Sequence, residues 1–153
     1  MSILGKLKRI QEIYNMADLL INGVDALPIY GVRMGDNFLD ALGAPVPMKD
    51  YIENDARAEH GKTVLVSSAR LASRELSLEF TIQGDNPDDY QGKKKAFFDL
   101  LYAGALTISI PANGSEIYKL IYLGTSPTYG QSLNRCFGRV VVKFEEPNPT
   151  DRG

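Results

Sequence analysis

Between Arg74 and Gln83 the chain reads Arg-Glu-Leu-Ser-Leu-Glu-Phe-Thr-Ile-Gln. Leu76, Leu78, Phe80 and Ile82 occupy every second position, and Glu75, Ser77, Glu79, Thr81 and Gln83 stand beside them. Successive side chains of an extended strand point to opposite faces, so this spacing gathers the apolar residues on one side and the polar ones on the other. A helix would scatter the same residues around its circumference. One face of this strand is therefore expected to be buried, and the other to meet water or a partner.

The same alternation returns at Leu106, Ile108 and Ile110, then at Val140, Val142 and Phe144 in a strand expected over Cys136 to Glu145. Glu116 to Leu123 runs back from a turn at Pro111 to Ser115, which makes a hairpin. Near the start, Leu19 to Ile21 lead into Asn22-Gly23 and then Val24, and Asn-Gly suits the positive φ angles of a two-residue hairpin turn. Pro28 to Met34 reads as a continuing strand, with Pro28 at its start, where a missing N–H does least harm.

One segment changes period. Asn86 can cap a helix, Pro87 suits its first position, and Asp88 and Asp89 place negative charge at the positive end of the helix dipole. Tyr90, Phe97, Leu100 and Leu101 then share a face, and Gly104 supplies the stop, so a helix is expected over residues 87–103. Gly92 inside it costs about 1 kcal/mol relative to Ala, for which close packing against a sheet is the expected reason. Residues 35–62 form a long loop or arm: Gly35 to Pro47 is rich in Asp, Asn, Gly and Pro, and Lys49 to Arg57 with Thr63 to Ser67 suggests a protruding hairpin.

The 153 residues suit one hydrophobic core, here expected over residues 17–146. The pattern is mostly β, a β-dominated α+β class: a β-sandwich or split β-barrel with one flanking helix. Residues 1–16 carry Ile3, Leu7, Ile10 and Tyr14 at helical spacing among Lys6, Lys8, Arg9 and Glu12, which fits a short docked helix and not a signal peptide. Residues 147–153 are expected to be a flexible tail. Seventeen basic and nineteen acidic residues leave a formal charge of −2, too weak a field to collect nucleic acid by bulk charge. No segment approaches the roughly 20 apolar residues that span a bilayer, and no membrane partner is expected.

No catalytic constellation assembles from the sequence. His60 stands alone as the only histidine, and Cys136, the only cysteine, reads as a small buried hydrophobe. Asp85, Asn86, Asp88 and Asp89 lack the glycine and distant glutamate of a helix-loop-helix calcium site. Gly92-Lys93 lacks the partner glycine and following hydroxyl of a phosphate loop. No cofactor, metal or catalytic residue is expected, and the chain does not read as an enzyme. Tyrosines at Tyr30, Tyr51, Tyr118, Tyr122 and Tyr129 suit either half-buried strands or interfaces.

The run Arg74 to Gly84, followed by Lys95-Ala96-Phe97-Phe98-Asp99-Leu100-Leu101, resembles the distal tail and related tail-tube proteins of long-tailed, siphovirus-type bacteriophages. In these, a strand of the form Arg-x-hydrophobic-x-hydrophobic-x-Phe-x-Ile-x-Gly precedes a helix bearing Ala-Phe-x-x-Leu. Tyr51 to Arg57 and Phe144 to Pro149 are similar to segments of prophage-encoded tail proteins, and the likeness covers about residues 17 to 146. It implies a homo-oligomeric ring, commonly a hexamer in such families, around a channel through which DNA passes without specific binding. It also implies neighbouring tail proteins as partners, and a place first in the host cytoplasm and then in the virion tail. With the chain running out soon after Pro149, only the ring-forming part is expected, without a receptor-binding domain. The arm would contact a neighbouring subunit through Tyr51, Glu53, Asn54 and Arg57. A second expectation is a small-ligand or carbohydrate-binding β module with Tyr118, Tyr122 and Tyr129 lining one cleft.

Overall fold

The computed structural model describes residues 17–50, 52–54, 61, 63–65 and 69–153. Strands β1 (Leu20–Ile21) and β2 (Val24–Asp25) are followed by helix α1 (Ala26–Tyr30), strand β3 (Val32–Met34) and helix α2 (Phe38–Gly43). Then come β4 (Ile52–Asn54), β5 (Thr63–Leu65), β6 (Arg74–Gln83), α3 (Pro87–Tyr102), β7 (Ala105–Ser109), β8 (Ile117–Tyr122), β9 (Thr128–Gln131) and β10 (Phe137–Glu146). Eight strands make one antiparallel sheet in the order β2-β1-β7-β8-β10-β6-β3, with β9 also on β10, while β4 and β5 pair separately. The sheet curls into a half-barrel, so the mostly β expectation holds in its split-barrel form.

Its spine is the β6–β10 ladder, which pairs both ten-residue strands from end to end, Gln83 with Phe137 through Arg74 with Glu146. The inner face follows the alternation read from the sequence: Leu76, Leu78, Phe80 and Ile82 are buried beside Val140, Val142 and Phe144. Each such side chain contributes about 1.5–3 kcal/mol by leaving water. Phe80 joins the layers, because its ring meets Phe38 of α2 at 5.3 Å, Phe97 of α3 at 5.1 Å and Phe144 of β10 at 6.2 Å, all edge-on. Edge-on packing sets the positive rim of one ring against the negative face of the next.

Helix α3 forms as its termini require. The Asn86 side chain accepts from the Asp89 N–H at 2.8 Å, Pro87 opens the first turn, and Gly104 in the left-handed region lies just past the end. Its contact with the sheet is made by Tyr90, Phe97 and Leu101. Gly92, however, is exposed, and a Cβ there would meet nothing within 4 Å. The close packing expected there belongs instead to Gly84 and Gly138, where an added Cβ would collide with Tyr90.

Four local expectations are corrected. Residues 26–30 are a short helix and not a strand: the Asp25 side chain caps the Leu27 N–H, and Pro28 falls in the first turn, where a backbone N–H has no helical partner. The stretch from Gly35 to Pro47 is not all loop, because Phe38 and Leu42, four residues apart, fold it into α2 and are both buried. Cys136 lies half-buried in the turn before β10, its N–H held by the Asn134 side chain at 3.0 Å. The tail is fastened: Ile117 N–H donates to the Arg152 carbonyl at 2.8 Å, and Lys119 pairs with Asp151 at 2.7 Å. The N-terminal segment 1–16 and His60 lie outside the described residues.

Candidate subunit interface

The arm leaves the domain between α2 and β6. At its root, Lys49 N–H donates to the Arg70 carbonyl at 2.9 Å and Ala72 N–H to the Pro47 carbonyl at 2.8 Å, with a bridge between Met48 and Leu71. Farther out, β4 and β5 pair antiparallel, Ile52 with Leu65, Glu53 with Val64 and Asn54 with Thr63. The arm is thus a hairpin at both places where it is described. Of the four contact residues expected from the sequence, Glu53 and Asn54 are consecutive positions of β4, whereas Tyr51 and Arg57 lie outside the described residues.

Beneath the root lies a cluster that the sequence reading did not pick out. Arg74 (5% exposed) donates from Nε to Glu146 Oε1 at 2.7 Å, and its other nitrogens reach the Leu42, Ala44 and Ala41 carbonyls at 2.8, 3.2 and 3.4 Å. Those carbonyls belong to the end of α2, where a positive charge satisfies the acceptors that a helix leaves unpaired. Glu146 is fully buried and also accepts twice from Arg152, each bond 2.9 Å long. Arg152 lies 4.7 Å from the Tyr118 ring centroid and 3.5 Å from Glu116. Burial alone would raise the Glu146 carboxyl, but the hydrogen bonds from Arg152 and Arg74 outweigh it and hold the group below the usual carboxylate range. The cluster ties the chain's last residues to β10 and to β6 and α2, the strand and helix between which the arm springs. Its signal was parity: Arg74 and Glu146 sit in step with the inward-facing residues of β6 and β10.

At the other end of the sheet, between α3 and the β9–β10 pair, lies an apolar cleft of about 120 Å³ lined in part by Phe98, Tyr102, Tyr122, Pro127 and Tyr129. The Tyr90 and Tyr129 hydroxyls are 2.6 Å apart, and Tyr129 donates to Gln131 at 2.8 Å. Burial, then this hydrogen bond, pushes the Tyr90 hydroxyl well above its ordinary pKa. Lys94 stands 5.3 Å from the Tyr129 ring centroid. Tyr118 is not part of this cleft. It lines a separate cavity of about 40 Å³ with Leu39, Leu42 and Glu116, so the three tyrosines expected to share one cleft are divided between two.

Among the described residues no group of three or more His, Cys, Asp and Glu is placed to hold a metal, and no helix is long and apolar enough to cross a membrane. No family model and no curated protein sequence matches the chain. The fold is similar to that of the Dit protein of phage SPP1, described as a paradigm of the hub adsorption apparatus in phages that infect Gram-positive bacteria. The two superpose with a TM-score of 0.53 over 86% of this chain and 50% of that one, at 18% sequence identity. The chain therefore spans about half the length of that neighbour.

Proposed function

We propose that the chain is a structural, non-enzymatic subunit of a phage or prophage tail, of the distal-tail or hub kind, that assembles into a ring. The observation that carries this reading is the shared half-barrel fold with the hub protein Dit. The arm supports it in physical terms: a hairpin leaving the domain on a paired stalk is suited to reach a second copy, and Arg74 ties its base to the core. A head-to-tail contact of this kind closes into a ring when the rotation between copies is right. DNA would pass through the centre without being held, neighbouring tail proteins would stack on the faces, and the virion tail would be the final location. Glu53 and Asn54, with Tyr51 and Arg57, are the arm residues assigned to the neighbour.

The test is to replace residues 50–68 with a short Gly-Ser link, since the hydrogen bond between Lys49 and Arg70 brings the flanking chain ends together. Light scattering and negative-stain microscopy are expected to show rings for the intact chain and none for the shortened one, with the β fold retained by circular dichroism. Rings that survive the deletion overturn the role given to the arm.

A further inference from the structure

We propose a second contact between copies, separate from the arm: β9 pairs edge to edge with the β9 of another copy, about a two-fold axis at Gly130. All four residues of β9 are exposed, and the chain carries no charged residue from Leu120 to Asn134. Edge strands are ordinarily blunted by charge, proline or a cover, because their unpaired main chain is a template for another strand. Here the strand itself carries no charge, the ammonium of Lys94 lies over the Tyr129 ring, and Pro127 stands just before the strand.

The ladder decides which main-chain groups face outward. Ser132 N–H donates to the Phe137 carbonyl at 2.9 Å, so by alternation Thr128 and Gly130 direct their backbone groups at β10. Those of Tyr129 and Gln131 point away from β10, to the open edge. An antiparallel copy centred on Gly130 sets Tyr129 opposite the second copy's Gln131, and the reverse, so that all of these groups find partners. Leu133, which is 100% exposed in the turn just past β9, and Pro127, on the rim of the aromatic cleft just before it, flank this edge.

Gly130 itself fits this role. Its backbone is not in the left-handed region, and a Cβ there would meet nothing within 4 Å, so neither conformation nor packing within one copy calls for glycine. A glycine inside a strand often marks where another backbone comes close. Such a contact is isologous and closes at two copies; combined with a ring, it would join two rings face to face.

Cysteine cross-linking of the full chain tests the register. At the axis the pair is of the non-hydrogen-bonded kind, with Cα atoms about 4.5 Å apart, inside the range that a disulfide spans. In a Cys136→Ser background, Gly130→Cys is expected to form a linked dimer under oxidised glutathione at least about tenfold faster than the Gly92→Cys control on α3, because only the first pair is held at bonding distance. Gly130→Lys should keep its fold and weaken self-association by about tenfold or more in sedimentation, since it opposes like charges. Equal cross-linking rates overturn the proposal, as does an unchanged mass for folded Gly130→Lys. Repeating the cross-link without residues 50–68 separates this contact from the arm: a dimer that persists when rings are lost belongs to β9 alone.

Discussion

The two ends of the β6–β10 ladder are sealed in opposite ways. At the Arg74–Glu146 end, charges are buried and matched one against another, with helix carbonyls and a tail arginine completing the set. At the Gln83–Phe137 end, the seal is steric: Tyr90 is wholly buried in space that Gly84 and Gly138 leave open, and its hydroxyl is paired with Tyr129. A charged seal fails when one partner is removed, because the other remains buried without compensation. A steric seal fails when something is added. The arm springs from the charged end and the open β9 edge lies near the steric one, so the two proposed contacts rest on differently built supports.

The largest expected effect is at the charged end. Glu146→Ala strands Arg74 in the core and should cost about 3–5 kcal/mol in urea unfolding. Replacing both partners, Arg74→Met with Glu146→Leu, should recover much of that loss, since no charge is then left buried. A double variant as unstable as the single one would mean that the carbonyls of α2, and not Glu146, are what Arg74 chiefly serves.

Gly138→Ala probes the steric end and should cost about 1–3 kcal/mol, the usual range for overpacking. Adding Tyr90→Phe removes the hydroxyl that the new methyl group would meet, and should make the alanine better tolerated than it is alone. Thermal melts of the wild type and the three variants in the cycle read this directly. If the alanine costs the same with and without the hydroxyl, the end is not closed by this fit.

Arg152→Ala should be milder, at about 1–2 kcal/mol, because charged hydrogen bonds are lost from a residue that still meets solvent. Its pH dependence has a definite sign. The Glu146 carboxyl is held below its unfolded value, so the stability it contributes is present above the unfolded pKa and is lost as pH falls through the folded one. The gap between wild type and Arg152→Ala should therefore be full near neutrality and narrow as pH falls through the carboxylate range. A gap that stays constant with pH would assign Arg152 to packing on Tyr118 instead.

How much of this was legible in the sequence follows the same division. The inner face of the ladder and the capping of α3 were readable because alternation and cap chemistry are local. Residues 26–30 were misread because a helix of one turn has too few positions to show a period, and a cap at Asp25 decides it. The charged cluster was readable in part, since two ionisable residues in step with buried ones need partners. Arg152 was not, because nothing local tells that a Pro-rich tail folds back on β8. The steric seal was invisible, as it depends on Tyr90 and Gly138 meeting across the sheet.

Gly92→Ala separates the two readings of glycine near the steric end. Gly84 and Gly138 are small because Tyr90 occupies the space beside them, whereas Gly92 lies on an open side of the same helix. Alanine there meets no atom in the folded chain and restricts the unfolded one, so it should stabilise by about 0.4–1 kcal/mol. The opposite signs expected for Gly92→Ala and Gly138→Ala, measured by the same thermal melt, would tie the cost at Gly138 to its fit around Tyr90 and not to replacing glycine as such. If Gly92→Ala destabilises while the chain remains a monomer, α3 carries strain that its caps do not reveal. If it destabilises only in the assembled state, the exposed side of α3 is itself covered by another copy.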